Sequence, residues 1–99
     1  MNYRLYIGLD VQNGKPWERQ EAINIIISVC RGKGINALSI GECRGIYTYN
    51  DGETVQESTL VLLLVDFKGD IKGLVLSLKT ALKQECIMIE KIKNDFDFV

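Results

Sequence analysis

The tight-turn signal Asn50-Asp51-Gly52 constrains this chain most, because it joins two unusually long stretches of β-forming residues. Asn, Asp and Gly tolerate the positive φ angles that tight β-turns require. Residues 35–49 lead into the turn and residues 53–66 leave it. The sequence therefore predicts a long β-hairpin, with arms of about 14 residues or roughly 45 Å at the rise of a strand.

The two arms of this hairpin differ in pattern. In the first arm, Gly41-Glu42-Cys43-Arg44-Gly45 separates residues 35–40 from residues 46–49, which predicts a glycine-flanked kink or bulge. In the second arm, residues 54–58 alternate, whereas residues 60–65 are continuously apolar. A continuous apolar run indicates a central strand that is covered on both faces or lies at an interface.

Four further elements flank the hairpin. Residues 3–11 are rich in β-formers and predict a first strand, and residues 86–92 predict a last one. Residues 17–31 and 69–83 carry apolar side chains at helical spacing. Pro16 is expected in the first turn of the first helix, where its missing N–H costs nothing, and Gly32 and Gly34 are expected to end that helix.

This order of elements, βαββαβ, predicts an α+β fold of the ferredoxin-like type. One domain spans residues 1–99, with residues 94–99 as a short tail. Its four-stranded antiparallel sheet would carry both helices on one face and leave the other face bare. Because the long hairpin between the second and third strands would also reach beyond the outer strands, we expect a homo-oligomer, either a dimer or a trimer.

Composition narrows the function classes. Twelve Lys and Arg against thirteen Asp and Glu give a net charge of −1, whereas proteins that bind long nucleic acids usually carry a basic excess. The chain has no His, so a Ser-His or Cys-His nucleophile and a His-based metal site are excluded within it. No cofactor, metal ligand or catalytic residue is assigned. No apolar run has transmembrane length, so we expect a cytoplasmic protein without membrane contact.

The three cysteines, Cys30, Cys43 and Cys86, are scattered and have no CxxC spacing. Such a pattern indicates neither a disulfide framework nor a zinc site. We expect free thiols in a reducing compartment, acting as small apolar residues.

A candidate ligand groove lies beside the predicted hairpin. Its residues would be Arg4 and Tyr6 on the first strand and Arg44, Tyr47 and Glu57 on the hairpin. Tyrosine rings can stack on a planar ligand, and arginine can donate two parallel hydrogen bonds to an anionic group. The alternative is structural: Arg44 and Glu57 would form a cross-strand surface pair, and the tyrosines would only cover a half-exposed strand.

The chain resembles a small family of uncharacterised bacterial domains with an RLYFGL-like start. The segments that carry the resemblance are Arg4-Leu5-Tyr6-Ile7-Gly8-Leu9, Asn50-Asp51-Gly52, Val55-Gln56-Glu57-Ser58 and Lys83-Gln84-Glu85-Cys86-Ile87. It covers most of the chain and implies the fold but no activity. In outline, the long hairpin is also similar to CutA-like and PII-like trimers, which implies ligand clefts between subunits, although the binding motifs of those families are not matched.

Three functions fit these observations. The first is a non-catalytic oligomer that binds a small, anionic, nucleotide-like signalling molecule between subunits, either as a sensor or to sequester it, as bacteriophage proteins do against host signalling. The second is a small metal-independent enzyme that uses Tyr47, Glu57 or Cys43 for proton transfer. The third is a purely structural assembly module that uses the apolar residues 60–65.

Overall fold

Six elements form the chain in the predicted order. The computed structural model describes residues 1–11, 14–48, 51–93, 95–97 and 99, without the side chains of residues 47 and 55. The elements are β1 (Asn2–Gly8), α1 (Arg19–Gly32), β2 (Ser39–Thr48), β3 (Thr54–Leu64), α2 (Ile71–Leu82) and β4 (Met88–Ile92).

The four strands form one antiparallel sheet in the order β2-β3-β1-β4. This topology confirms the predicted α+β fold of ferredoxin-like type. The apolar run on β3 belongs to a central strand, since β3 lies between β1 and β2, but the helices cover only one of its faces.

Alternation along the two central strands divides the sheet into two faces. On β1, Leu5 and Ile7 are fully buried, and on β3 so are Leu60, Leu62 and Leu64, each about 1% exposed or less. Successive side chains of a strand point to opposite faces, so these residues share one face, against which both helices pack. The helices contribute Ala22, Ile26, Cys30, Leu74, Val75, Leu78 and Leu82 to the same core.

Side chains fix where each helix begins. The carboxylate of Glu18 accepts hydrogen bonds from the backbone N–H groups of Gln20 (3.1 Å) and Glu21 (3.0 Å), so Glu18 is the N-cap of α1. The prediction that Pro16 occupies the first turn is therefore wrong, because the cap lies two residues later. Asp70 caps α2 in the same way, and this helix begins at Ile71 rather than at residue 69.

Within residues 39–48 and 54–63 the hairpin carries no bulge, contrary to the prediction. β2 and β3 pair without interruption from Ser39 opposite Leu63 to Thr48 opposite Thr54. Gly41 and Gly45 both lie inside this ladder, and neither has a positive φ angle. The strands of the arms are also shorter than predicted, at 10 and 11 residues, because residues 35–38 before β2 and residues 65 and 66 after β3 do not join the sheet.

The hairpin nevertheless extends beyond the rest of the sheet, as predicted. β1 pairs with β3 only between Leu64 and Thr59, so residues 44–48 and 54–58 pair with each other and with no other strand. We call this part of the hairpin the overhang. In its turn, Gly52 has a φ of 87° and the backbone N–H of Glu53 donates to Asp51 (2.9 Å). Asn50 of the predicted turn lies outside the described residues.

Candidate functional site

Among the described residues, both helices pack on one face of the sheet, and the face opposite them is here called the open face. The helix-covered side is called the helix-side face. Strand register assigns to the open face every second residue of each strand: Asn2, Arg4, Tyr6, Gly8, Ser39, Gly41, Cys43, Gly45, Glu57, Thr59, Val61, Leu63, Met88, Glu90 and Ile92.

Three polar side chains meet near the middle of the open face. Arg4 lies directly across from Glu90 on the neighbouring strand, and their side chains form an ion pair of 3.4 Å between Nη1 and Oε1. The hydroxyl of Tyr6 donates a hydrogen bond to the same carboxylate oxygen at 2.7 Å. Because both contacts use Oε1, the second oxygen of Glu90 is left to accept a hydrogen bond from a ligand.

The hydrogen bond to Glu90 raises the pKa of Tyr6 above its ordinary value, and loss of hydration adds to the effect. The guanidinium of Arg4 acts in the opposite direction but is outweighed. A phenolate at this position would face a carboxylate, so the neutral hydroxyl is favoured. Tyr6 therefore acts as a hydrogen-bond donor at neutral pH, and its ring is held in place beside Glu90.

We expect Tyr6 to ionise at a higher pH than an unperturbed tyrosine. Spectrophotometric titration near 295 nm should show a late component that is missing in Tyr6→Phe and moves to lower pH in Glu90→Gln. Because the folded pKa lies above the unfolded one, any stability that this contact adds is present below the ordinary tyrosine pKa and is lost as pH rises through the raised value. A Tyr6 component that Glu90→Gln leaves in place would contradict the assigned cause.

The structure brings together only part of the predicted groove. Arg4 and Tyr6 lie side by side on the open face, and Glu57 lies on the same face but on the overhang. Arg44 is opposite Ser58 and thus projects from the helix-side face. The cross-strand pair Arg44–Glu57 therefore does not form, because Glu57 is opposite Gly45 and the two side chains lie on opposite faces.

The remaining predicted residue, Tyr47, is opposite Val55 in the ladder, but its side chain lies outside the described part of the chain. Sequence reasoning missed Glu90, which contacts both Arg4 and Tyr6. Alternation in the last strand could have placed Glu90 on a face. Its partner, however, follows only from the antiparallel register of β1 with β4.

The open face carries an excess of negative charge. Its strand residues include one cation, Arg4, and two anions, Glu57 and Glu90. Arg4 is already paired with Glu90, so the strands present no unpaired cation on this face. The charge pattern therefore favours a neutral or cationic ligand over a polyanion.

Apolar side chains surround the Arg4, Tyr6 and Glu90 cluster. Val61 lies opposite Tyr6 on one side and Met88 on the other, and Leu63 lies opposite Arg4. Met88 is 60% exposed although it is a large apolar residue. An aromatic ring with a polar cluster in an apolar setting suits the recognition of a planar ligand with a few polar groups.

A concave region lies away from this cluster, at the opposite end of the sheet from the overhang. It is a cavity of about 680 Å³ lined by residues that include Lys33, Leu64, Phe67, Lys68 and Asp70. Arg4, Tyr6, Arg44 and Glu57, the predicted site residues whose side chains are described, do not line it. Its charged groups are mixed in sign, and Asp70 already caps α2 at its edge, so the helix terminus gives an anion little attraction there.

The three cysteines are free thiols. Cys30 is fully buried in the core, and burial raises the pKa of its thiol, whereas Cys43 on the open face and Cys86 are exposed. In the described part of the chain, no group of three or more acidic or Cys residues is arranged to hold a metal ion. No helix among the described residues has the length and apolar character needed to cross a membrane.

No protein-family model matches the chain, and a search of curated proteins finds no match. Solved structures do match. A phage SAM lyase in its apo state has 24% sequence identity and a TM-score of 0.65, with coverage of 89% of this chain and 75% of the other. A phage SAM lyase in complex with S-methyl-5'-thioadenosine has 22% identity and a TM-score of 0.67, covering 89% and 76%.

A third match is a DUF3240 family protein from Shewanella baltica, with 10% identity, a TM-score of 0.56 and coverage of 99% of this chain and 97% of the other. At these identities the likeness establishes the fold alone. It agrees with the predicted resemblance to uncharacterised domains. The outline shared with CutA-like and PII-like proteins stays a prediction.

Proposed function

We propose that this protein binds a small adenosine-containing molecule with a cationic sulfur centre, of the S-adenosylmethionine class, on the open face of a homo-oligomer and withdraws it from solution. The observation that carries the proposal is the cluster of Tyr6, Glu90 and Arg4 on an apolar, net negative sheet face. The matched fold of a phage protein in complex with S-methyl-5'-thioadenosine supports this class of ligand.

Each part of such a ligand has a counterpart on the open face. The ring of Tyr6 offers a surface on which adenine can stack, and Val61 and Met88 provide apolar contact beside it. The free Oε2 atom of Glu90 can accept a hydrogen bond from a ribose hydroxyl or attract a sulfonium. Arg4 can turn part of its guanidinium towards a ligand carboxylate while it keeps its contact with Glu90.

The open face is less suited to an anionic nucleotide, which is the ligand expected from sequence. Its phosphates carry more negative charge than one carboxylate, and the single strand cation of this face, Arg4, is already shared with Glu90 at 3.4 Å. Arg44 lies on the helix-side face of its own chain. The charge pattern therefore supports the sulfonium class, and the anionic class becomes the competitor in the test.

Isothermal titration calorimetry and thermal-shift measurements on the purified protein should separate these ligand classes. We expect S-adenosylmethionine to bind, S-methyl-5'-thioadenosine to bind more weakly, and ATP and a cyclic dinucleotide to give no shift. The preference for the cation should weaken as salt is raised, because the site is partly exposed.

Two outcomes would contradict the proposal. If only the anionic nucleotides bind, the ligand is the one expected from sequence and the charge argument fails. If none of the four compounds binds to an assembled protein, the chain is better explained as a structural assembly module. Tyr6→Phe serves as a check on the site, since it removes the hydroxyl but keeps the ring.

A second candidate is cleavage of S-adenosylmethionine, because two of the matched structures are named as SAM lyases. When the carbon–sulfonium bond breaks, sulfur keeps the bonding electrons as a neutral thioether, and the substrate's own carboxylate can form the new bond to that carbon and close a lactone, so no proton has to be moved. The absence of His as a general acid or base therefore does not prevent that step. The residues expected from sequence for such an enzyme are Tyr47, Glu57 and Cys43.

Incubation with S-adenosylmethionine and mass spectrometry of the products decides between binding and cleavage. Release of S-methyl-5'-thioadenosine that rises with protein concentration, and that Glu57→Gln abolishes, would establish the enzyme. Stoichiometric binding with unchanged S-adenosylmethionine would establish sequestration.

A further inference from the structure

The overhang carries opposite charges on its two faces at nearly the same height along the hairpin. Arg44 pairs with Ser58 in the ladder, and Glu57 pairs with Gly45, one step nearer the turn. Arg44 projects from the helix-side face and Glu57 from the open face. The two side chains are thus close along the hairpin but separated by the sheet itself.

Neither charge has a partner within the part of the chain that the structure describes. The described ion pairs join Arg4 to Glu90, Arg19 to Glu42, and Lys68 to Asp66. Arg44 and Glu57 are absent from these pairs and from the side-chain hydrogen bonds, and both residues are exposed. A complementary surface elsewhere could therefore pair both of them.

A second copy of this chain offers that complementary surface. If the helix-side face of one overhang packs on the open face of the next, Arg44 of one copy approaches Glu57 of its neighbour. Stacked sheets lie about 10 Å apart, a gap that the combined lengths of these two side chains span. A two-fold contact between like faces buries only one of these two residues on each copy, so it cannot join Arg44 to Glu57.

Two further features of the overhang region fit this packing. An added Cβ at Gly41 or Gly45, both on the open face, would meet no atom within 4 Å, and neither residue has a positive φ. The fold of one chain therefore does not require glycine there, although glycine inside a strand weakens it. On the helix-side face, Ile46 is 72% exposed and can contact the flat surface that these glycines leave.

We propose that copies of this chain assemble head to tail through their overhangs, with Arg44 of each copy paired to Glu57 of the next. Such a heterologous contact closes only as a ring of three or more copies. The arrangement places Arg44 on the open face of the neighbouring copy, where Glu57 neutralises it, so it adds no unpaired cation to the cluster of Arg4, Tyr6 and Glu90. The inference specifies the homo-oligomer of the proposed function, but its test needs no ligand.

Charge exchange followed by sedimentation tests the pairing. At micromolar concentration we expect the wild-type protein to sediment at three or more times the chain mass of 11.2 kDa. Arg44→Glu and Glu57→Arg should each raise the dissociation constant of the assembly at least tenfold, because each places like charges together. The double variant, Arg44→Glu with Glu57→Arg, should restore assembly.

Lys91→Glu and Glu85→Arg are the matched controls, since they make the same changes of net charge at exposed positions away from the overhang. Both should sediment as the wild type does. Far-UV circular dichroism of each variant verifies that the chain is folded. Cys43, which lies between Gly41 and Gly45, gives an independent signal: a thiol reagent should modify it more slowly in the wild-type assembly than in Arg44→Glu.

Two sedimentation outcomes overturn the proposal, and ligand binding by the variants tests the proposed function separately. If the wild-type protein sediments as a single chain of 11.2 kDa, no oligomer forms. If the single variants remain assembled, or if the double variant does not regain assembly, the Arg44–Glu57 contact is ruled out. Any assembly would then use another interface. Ligand binding that persists in a monomeric protein would show that the proposed function stands without this assembly.

Discussion

Replacing Leu62 by alanine is expected to lower the free energy of unfolding by about 2–5 kcal/mol, a large part of the stability of a domain of this size. Leu62 is fully buried on the central strand β3, opposite Leu5 on β1 and Ile40 on β2. Truncation removes apolar contact and leaves a cavity that the two helices cannot fill without moving. Urea denaturation followed by circular dichroism measures the change.

Leu63→Ala is the matched control, because Leu63 is the next residue on the same strand and lies on the open face. It is only partly buried, so we expect a clearly smaller loss of stability. A loss at Leu63 equal to that at Leu62 would mean that both faces of β3 are covered to the same degree. Such a result would contradict the assignment of an open face.

Glu90→Gln is expected to weaken binding of S-adenosylmethionine about tenfold while changing the binding of S-methyl-5'-thioadenosine much less. The substitution keeps an acceptor for the Tyr6 hydroxyl but removes the charge that attracts a sulfonium. Hydrogen bonds and contacts to charged groups contribute about 1.5–3 kcal/mol, and the lower end applies here because the side chain of Glu90 is 45% exposed.

Calorimetry with both ligands at the same ionic strength measures this difference. Glu85→Gln removes the same charge from an exposed loop position and should leave both affinities unchanged. Equal losses for the charged and the neutral ligand in Glu90→Gln would show that Glu90 acts through the geometry of Tyr6 and not through its charge.

Much of the fold could be predicted from local patterns. Alternation and helical spacing are properties of neighbouring residues, so the order βαββαβ and the central position of residues 60–65 followed from them. The kink or bulge expected at Gly41 and Gly45 was wrong, since β2 pairs with β3 without interruption through both glycines. A local sequence cannot show the strand beside it, and that neighbour decided the conformation.

The candidate site shows the same division. Arg4 and Tyr6 were recognised by residue type and by their position on one strand, but Glu90 lies more than 80 residues away and meets them only through the register of β1 with β4. Arg44 and Glu57 were expected to be neighbours from the hairpin. A register in which Arg44 is opposite Ser58 places them on opposite faces instead, because a shift of one residue reverses the face of a side chain.

By itself, then, the sequence determined the kinds and order of elements, the overhanging hairpin and the classes of chemistry that a chain without His excludes. These follow from properties of residue types and from periodicity over short stretches. Tertiary structure alone decided which face each charge occupies, that Glu90 holds Tyr6 and Arg4, and that Arg44 projects away from Glu57. Those contacts depend on pairing between strands far apart in the chain, and their energies arise only when the sheet is assembled.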